Sequence, residues 1–136
     1  MTALAITLAL LAAAQTPRED FARELEVSAS KFAAAKAQVA EARRKAELPG
    51  KLADKLAVIR RVRLDLIQAY AGGLGSGPLA LRSQVLSRHI READVVVLDV
   101  EKSLPSGQAI PLAASAREQL EVAKAAIRVA AKEVSR

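Results

Sequence analysis

Apolar residues recur along this chain at alternating steps of four and three, the spacing that places side chains on one face of an α-helix. Four stretches show this pattern, and prolines or glycines separate each stretch from the next. A chain so patterned hides its apolar faces by packing helix against helix. The four stripes are Phe21, Leu25, Ser28, Phe32, Ala35, Val39, Ala42 and Ala46; Leu52, Leu56, Ile59, Leu66 and Tyr70; Leu79, Ser83, Leu86, Ile90, Ala93, Val97, Val100 and Leu104; and Ala113, Ala116, Leu120, Ala123, Ile127, Ala130 and Val134.

Helix-breaking residues set the expected boundaries. Thr16-Pro17 is typical of a helix start, with Thr as the N-cap and Pro in the first turn. Breaks are expected at Leu48-Pro49-Gly50, in the glycine-rich stretch 72–78, and at Pro105-Ser106-Gly107. The sequence therefore predicts helices over 17–48, 51–71, 78–104 and 111–135. Because the connections are short, it favours an all-α, antiparallel up-down-up-down four-helix bundle with coiled-coil-like seams.

Composition agrees with a helical chain. Alanine occupies 30 of the 136 positions, and it loses no side-chain entropy in a helix. Val95-Val96-Val97-Leu98 is locally strand-like because β-branched runs suit sheets. Helix is still expected there, since the chain offers no second strand as a partner.

The N-terminus has the features of a signal peptide. Residues Leu4 to Ala14 form an uncharged apolar run that ends in three alanines and precedes a polar stretch. This run is too short to span a bilayer as a helix, and small residues before a polar turn suit a peptidase site. We therefore expect a signal peptide at 1–14, a bundle domain at 15–136, and a periplasmic or secreted product. The alternative is an apolar lead-in to the first helix that stays in the cytosol, since no basic residue precedes the run.

The sequence has few residues that could perform metal or nucleophile chemistry. It contains no Cys, one Met and one His. His89 and Glu92 lie three apart, but the carboxylate-bridged bundle sites use a Glu-x-x-His pair on each of two helices, and a single His cannot supply both. A half-buried structural role is favoured for His89. The loop Gly73–Gly77 follows a helix and lacks the lysine of a phosphate-binding loop, so it is interpreted as a connector. No enzyme, metal or cofactor is expected.

Charge is the more informative signal. The chain carries a net charge of +6, and four stretches without any acid, at 27–40, 55–64, 78–91 and 122–132, hold twelve Lys or Arg between them. In the expected bundle these stretches overlap as a belt, which would attract anions. The alternative is that these acid-free stretches are solvated outer faces whose positive charge is incidental. The candidate anion-binding residues are Arg60, Arg61, Arg63, Arg88, Arg91, Lys124 and Arg128.

Arg63 interrupts its apolar stripe. It falls between Ile59 and Leu66, where heptad spacing calls for a core residue, and an unpaired buried guanidinium is costly. Either the side chain extends outward along its stem, which moves the stripe to Val62, or it faces an anionic ligand. The first interpretation is favoured. If Arg63 is more than half exposed, it does not belong to any binding site.

Three functions follow from these features. The first is a binding or scaffold protein of the cell envelope whose basic surface engages a membrane surface, an acidic protein or a glycan. Specific nucleic acid is not expected, because only three residues are aromatic. The second is a small-molecule or metal carrier that uses the bundle interior near His89 and Arg63. The third is a structural partner protein that docks another helix, or a second copy of itself, through spare apolar positions such as Val95 and Leu98.

Overall fold

The computed structural model describes residues 16–135, and the expected signal peptide at 1–14 lies outside them. The described residues form three α-helices and no strand, which confirms the all-α class. The helices are α1 (Thr16–Ala71), α2 (Ser76–Ser103) and α3 (Ser106–Val134). The chain divides after Arg43 into two compact units. Unit one is described over residues 16–43 and unit two over residues 44–135.

Unit two is a three-helix bundle built from 44–71 of α1 with α2 and α3. Helices α1 and α2 run antiparallel, because ion pairs join early positions of one to late positions of the other. These pairs are Arg44 with Asp99, Lys55 with Glu92, and Asp65 with Arg82. Helices α2 and α3 are antiparallel neighbours joined by the Leu104-Pro105 turn, and the guanidinium of Arg117 on α3 binds the carboxylate of Glu101 on α2.

The core of unit two is entirely apolar. Among the described residues no polar or charged side chain is fully buried. Leucine and isoleucine dominate the contribution of α1, whereas α3 contributes mostly alanine, which lets helices approach closely. The buried residues are Leu48, Leu52, Leu56, Ile59, Leu66, Ala69, Leu79, Leu86, Ile90, Ala93, Val96, Val97, Val100, Ala109, Ala113, Ala116, Leu120, Ala123 and Ala130.

The expected break at Leu48-Pro49-Gly50 is absent, because α1 continues through Pro49. Proline removes one helical hydrogen bond and crowds the carbonyl four residues earlier. Burial on either side of it offsets this cost, since Leu48 and Leu52 are each only 2% exposed. The expectation of four helices is therefore wrong for the described residues: segments 17–48 and 51–71 are one helix, and unit two is a bundle of three.

The first apolar stripe is also corrected. Every residue from Arg18 to Arg43 is exposed, and Phe32, in the middle of the stripe, is 72% exposed. Without a reversal at Pro49, unit one has no second helix among its described residues for this stripe to pack against. The stripe from Phe21 to Ala46 is thus helical, as its spacing predicts, but it is not part of the core.

The start of α3 differs as well. The sequence places it near 111, whereas the helix begins at Ser106 and includes Pro111. The backbone N–H groups of Gln108 and Ala109 donate to the carbonyl of Pro105 at 2.9 and 2.8 Å. Ala109 is buried, so the apolar stripe of α3 extends one turn further toward the N-terminus than the sequence suggested.

The two remaining local predictions concern Val95–Leu98 and the glycine loop. Val95–Leu98 is helical, with Val96 and Val97 buried and Val95 and Leu98 exposed. The glycine loop connects α1 to α2. Gly73 adopts a left-handed conformation with φ of 71°, and the N–H of Leu74 reaches back to the carbonyl of Ala69 at 3.1 Å. This is the Schellman arrangement, which satisfies carbonyls at the end of α1.

Candidate anion-binding grooves

The seven basic residues predicted as one belt are distributed over unit two, in the grooves between its helices. Six of them line three separate grooves, and Arg88 lines none of the three. The placement of the belt at one height depended on a turn at Pro49, which is absent. The structure therefore replaces a continuous belt with three grooves of different character.

The groove between α2 and α3 collects three of the predicted residues. Arg91 from α2 lies across from Lys124 and Arg128 of α3, around a cavity of about 370 Å³. Lys124 and Arg128 are four apart, so they project from the same face of their helix. Ile90 and Ile127 also line the groove and give it an apolar component.

Acidic groups partly balance this α2–α3 groove. Asp94, one turn after Arg91, is the acid among the lining residues, so the lining carries three positive charges and one negative. The ammonium of Lys124 lies 3.3 Å from Oε1 of Glu121 on the same helix. Arg91 and Arg128 are both exposed and make no ion pair among the described residues. Their guanidinium groups are the ones best placed to bind an anion.

The groove between α1 and α3 holds Arg60 and Arg63 but is small, with a volume of about 80 Å³. Arg60 donates a hydrogen bond to Oε1 of Gln119 at 2.8 Å. Arg63 is less than half exposed, so its exposure does not exclude it from a binding site. Its Nε is enclosed and has no hydrogen-bond partner, and no described acid pairs with it. Val62 packs against the core beside it, as expected if the stripe shifts to that residue.

The groove between α1 and α2 is the largest of these three, at about 590 Å³, and its lining is mainly apolar. Arg61 is exposed and lines this groove. Inside it, Nε of Arg82 lies 3.3 Å from Oδ2 of Asp65, so the second cation of the groove already has an acidic neighbour. An anion entering this groove would compete with Asp65. Arg61 is therefore a weaker candidate than the basic residues between α2 and α3.

His89 belongs to an ion-pair cluster outside these grooves. Nδ1 of His89 lies 3.6 Å from Oε2 of Glu92, and the same oxygen accepts a hydrogen bond from Lys55 at 3.1 Å. The hydrogen bond and charge of Lys55 lower the pKa of the Glu92 carboxyl, and the nearby charges of His89 and Arg88 act in the same direction. Arg88 thus lies near this cluster. His89 and Arg63 share no groove, and no group of three or more potential metal ligands occurs among residues 16–135.

Among the polar residues that line the grooves, Asp65, Arg82, Asp94 and Gln119 were not foreseen from the sequence. Arg82 lay within an acid-free stretch, so the charge pattern carried a signal for it. Asp94 lies just beyond that same stretch, and only the pairing of α2 with α3 shows that it borders the basic groove. Helix pairing of this kind cannot be read from one-dimensional charge runs.

Comparisons with protein-family models, with curated proteins and with solved structures found no match. Within the part of the chain that the structure describes, no helix combines the length and apolarity needed to cross a bilayer.

Proposed function

We propose that this protein is a non-enzymatic binding or scaffold protein of the cell envelope, which holds an anionic partner in the groove between α2 and α3. The observation that carries the proposal is the convergence of Arg91, Lys124 and Arg128 on one groove with a single lining acid. Three cations around a concave surface focus the electrostatic field more strongly than the same charges spread over a convex face.

The chemistry of the groove favours a partner with several closely spaced anionic groups. A guanidinium binds sulfate, phosphate or carboxylate through two parallel N–H donors, and two exposed guanidinium groups flank this groove. Exposed cations bind in a salt-dependent way, since charges separated by more than about 8 Å are largely screened at physiological ionic strength. The partner that fits is a sulfated or phosphorylated polyanion, such as a glycan or a charged membrane surface.

Retention on heparin tests the groove. We expect the protein to bind at about 50 mM salt and to elute before about 500 mM, because counterion release makes such binding fall with salt. A variant with Arg91→Gln, Lys124→Gln and Arg128→Gln should elute at clearly lower salt than the parent protein. Binding that is unchanged across the salt series would contradict the proposal.

A matched control removes the same charge elsewhere. Arg43, Lys51 and Lys102 are exposed and lie outside the α2–α3 groove. Their replacement by Gln lowers the net charge by three, as in the groove variant, and should lower the eluting salt concentration less. Equal shifts for the two variants would show that net charge alone, rather than this groove, is responsible.

Export is part of the same proposal. We infer that residues 1–14 are removed after Ala14, which leaves a product that begins at Gln15 in the periplasm or outside the cell. The support is the apolar run from Leu4 followed by the three alanines. The intact mass of the protein recovered from envelope and cytosolic fractions tests it, and a full-length chain found only in the cytosol would exclude it.

A further inference from the structure

The groove between α1 and α2 has the composition of a site for a small amphipathic molecule. Its volume of about 590 Å³ lies within the range of small-molecule sites, which are mostly apolar and carry a few polar groups. Val62 and Val85 line it and are partly buried, whereas Leu64 and Leu81 line it and are 53% and 61% exposed. A ligand that covers these two leucines removes apolar surface from water, which is favourable.

The polar residues of this groove leave one positive charge uncompensated. Nε of Arg82 lies 3.3 Å from Oδ2 of Asp65, and Nη1 of Arg82 donates to the carbonyl of Pro78 at 3.3 Å. Arg61 is exposed and makes no ion pair or hydrogen bond among the described residues. The guanidinium of Arg61 is therefore the cation that remains to receive a ligand.

This charge lies at one end of the groove. Because α1 and α2 are antiparallel and Asp65 lies beside Arg82, Val62 lies beside Val85, at the same end as Arg61. Gln68 lines the opposite end. The seven residues of helix from Arg61 to Gln68 span about 10 Å. The groove thus offers a charged end followed by an apolar length.

We propose that this groove binds a medium-chain fatty carboxylate. The carboxylate lies at Arg61, and the alkyl chain lies along the valines and leucines toward Gln68. A guanidinium binds a carboxylate through two parallel N–H donors, and one negative charge matches the one uncompensated cation. Asp65, one turn after Arg61, repels a head group of higher charge. The apolar lining is what separates this ligand from the polyanion proposed for the α2–α3 groove.

Three probes that differ in head group or chain length test the ligand class. Isothermal titration calorimetry of the whole chain at pH 7 compares decanoate, acetate and decyltrimethylammonium below their micelle concentrations. We expect decanoate to bind, acetate to give no measurable binding because it lacks the chain, and the cation to bind more weakly than decanoate. Absence of decanoate binding would overturn the proposal, and so would a cation that binds as tightly as decanoate.

A leucine pair on α2 tests the position of the alkyl chain. Leu81→Gln should raise the dissociation constant for decanoate about 10-fold, because the chain loses an apolar contact. Leu98→Gln is the matched control, since Leu98 is also 61% exposed on α2 and does not line the groove. Equal effects of the two substitutions would overturn the proposed position. Circular dichroism of each variant verifies that the helices remain folded.

Substitution of Arg61 tests the position of the head group. Arg61→Gln should raise the dissociation constant for decanoate at least about threefold, the size expected for an exposed ion pair. The same substitution should not weaken the binding of decyltrimethylammonium, because that head group gains nothing from a guanidinium. If Arg61→Gln weakens both probes equally, or neither, the carboxylate does not lie at Arg61.

The two grooves are tested separately, because the α2–α3 groove also combines cations with apolar side chains. The Gln variant of Arg91, Lys124 and Arg128 should bind decanoate like the parent protein, and Leu81→Gln should elute from heparin like the parent protein. Loss of decanoate binding in the triple variant would place the ligand between α2 and α3 and overturn this proposal. Loss of heparin retention alone leaves it intact, so the failure of either proposal can be recognised.

Discussion

Arg44 and Asp99 are 55 positions apart in the chain, yet their side chains are joined by a hydrogen bond of 2.6 Å. Ser103 completes the cluster: its hydroxyl donates to Asp99 at 2.8 Å and accepts from Arg44 at 3.1 Å. Since Arg44 begins the part of α1 that belongs to unit two, this cluster fixes one end of the pairing between α1 and α2.

Removal of the acid in this cluster is expected to destabilise unit two modestly. Asp99→Ala leaves Arg44 and Ser103 without their shared acceptor, and we expect a loss of about 0.5–1.5 kcal/mol in the free energy of unfolding. Urea denaturation measures it. Asp20→Ala is the control, because the pair of Asp20 with Arg23 is more exposed and spans only three residues of one helix. Equal losses would show that the Arg44 cluster contributes no more than an isolated surface pair.

Pro49 supplies a direct test of the continuous helix α1. Where proline lies inside a helix, its replacement by alanine restores one hydrogen bond and removes a clash with the preceding turn. We expect Pro49→Ala to stabilise the protein by about 1–3 kcal/mol in thermal or urea unfolding. Gly50→Ala should stabilise it by about 0.5–1 kcal/mol, because a methyl group at Gly50 meets no atom within 4 Å. If both substitutions destabilise the protein, the chain turns at this point.

Periodicity predicted the helical class and most of the core of unit two. Leu52, Leu56, Ile59 and Leu66 are buried as expected from their spacing. A heptad stripe shows only that a helix has an apolar face. It does not identify the neighbour that covers that face. For this reason the spacing alone predicts a core position for the stripe centred on Phe32, which is exposed in the structure.

The error at Pro49 has a related cause. Local rules predict that a helix ends where glycine follows proline. They take no account of the buried residues on either side of that pair. Leu48, Leu52 and Leu56 form one continuous stripe across Pro49, and its packing outweighs the local penalty. The basic groove was foreseen only in part, since the charge pattern selected Arg91, Lys124 and Arg128 but could not place Asp94 beside them.

The alanines of α3 should tolerate no enlargement where they face the core. Ala123 is completely buried, so Ala123→Leu forces α3 away from its neighbours and should cost about 1–3 kcal/mol. Ala114 is exposed on the same helix, and Ala114→Leu should change stability by less than about 0.5 kcal/mol. Chemical denaturation of the two variants measures the difference. Equal stabilities would mean that α3 does not pack closely through its alanine face.

The stability of unit two is expected to depend on pH through Glu92. The hydrogen bond and charge of Lys55 lower the pKa of this carboxyl in the folded protein. A carboxyl with a lowered folded pKa stabilises the fold above its unfolded pKa, about 4.3 for Glu, and this contribution disappears as pH falls through the folded pKa. Glu92→Gln should therefore be less stable than the parent protein at pH 7, and the difference in Tm should shrink below about pH 4. Glu118→Gln, at an exposed position of α3 with no ion pair among the described residues, is the control. A Tm difference for Glu92→Gln that stays constant down to about pH 2 would show that Lys55 does not stabilise the ionised carboxylate.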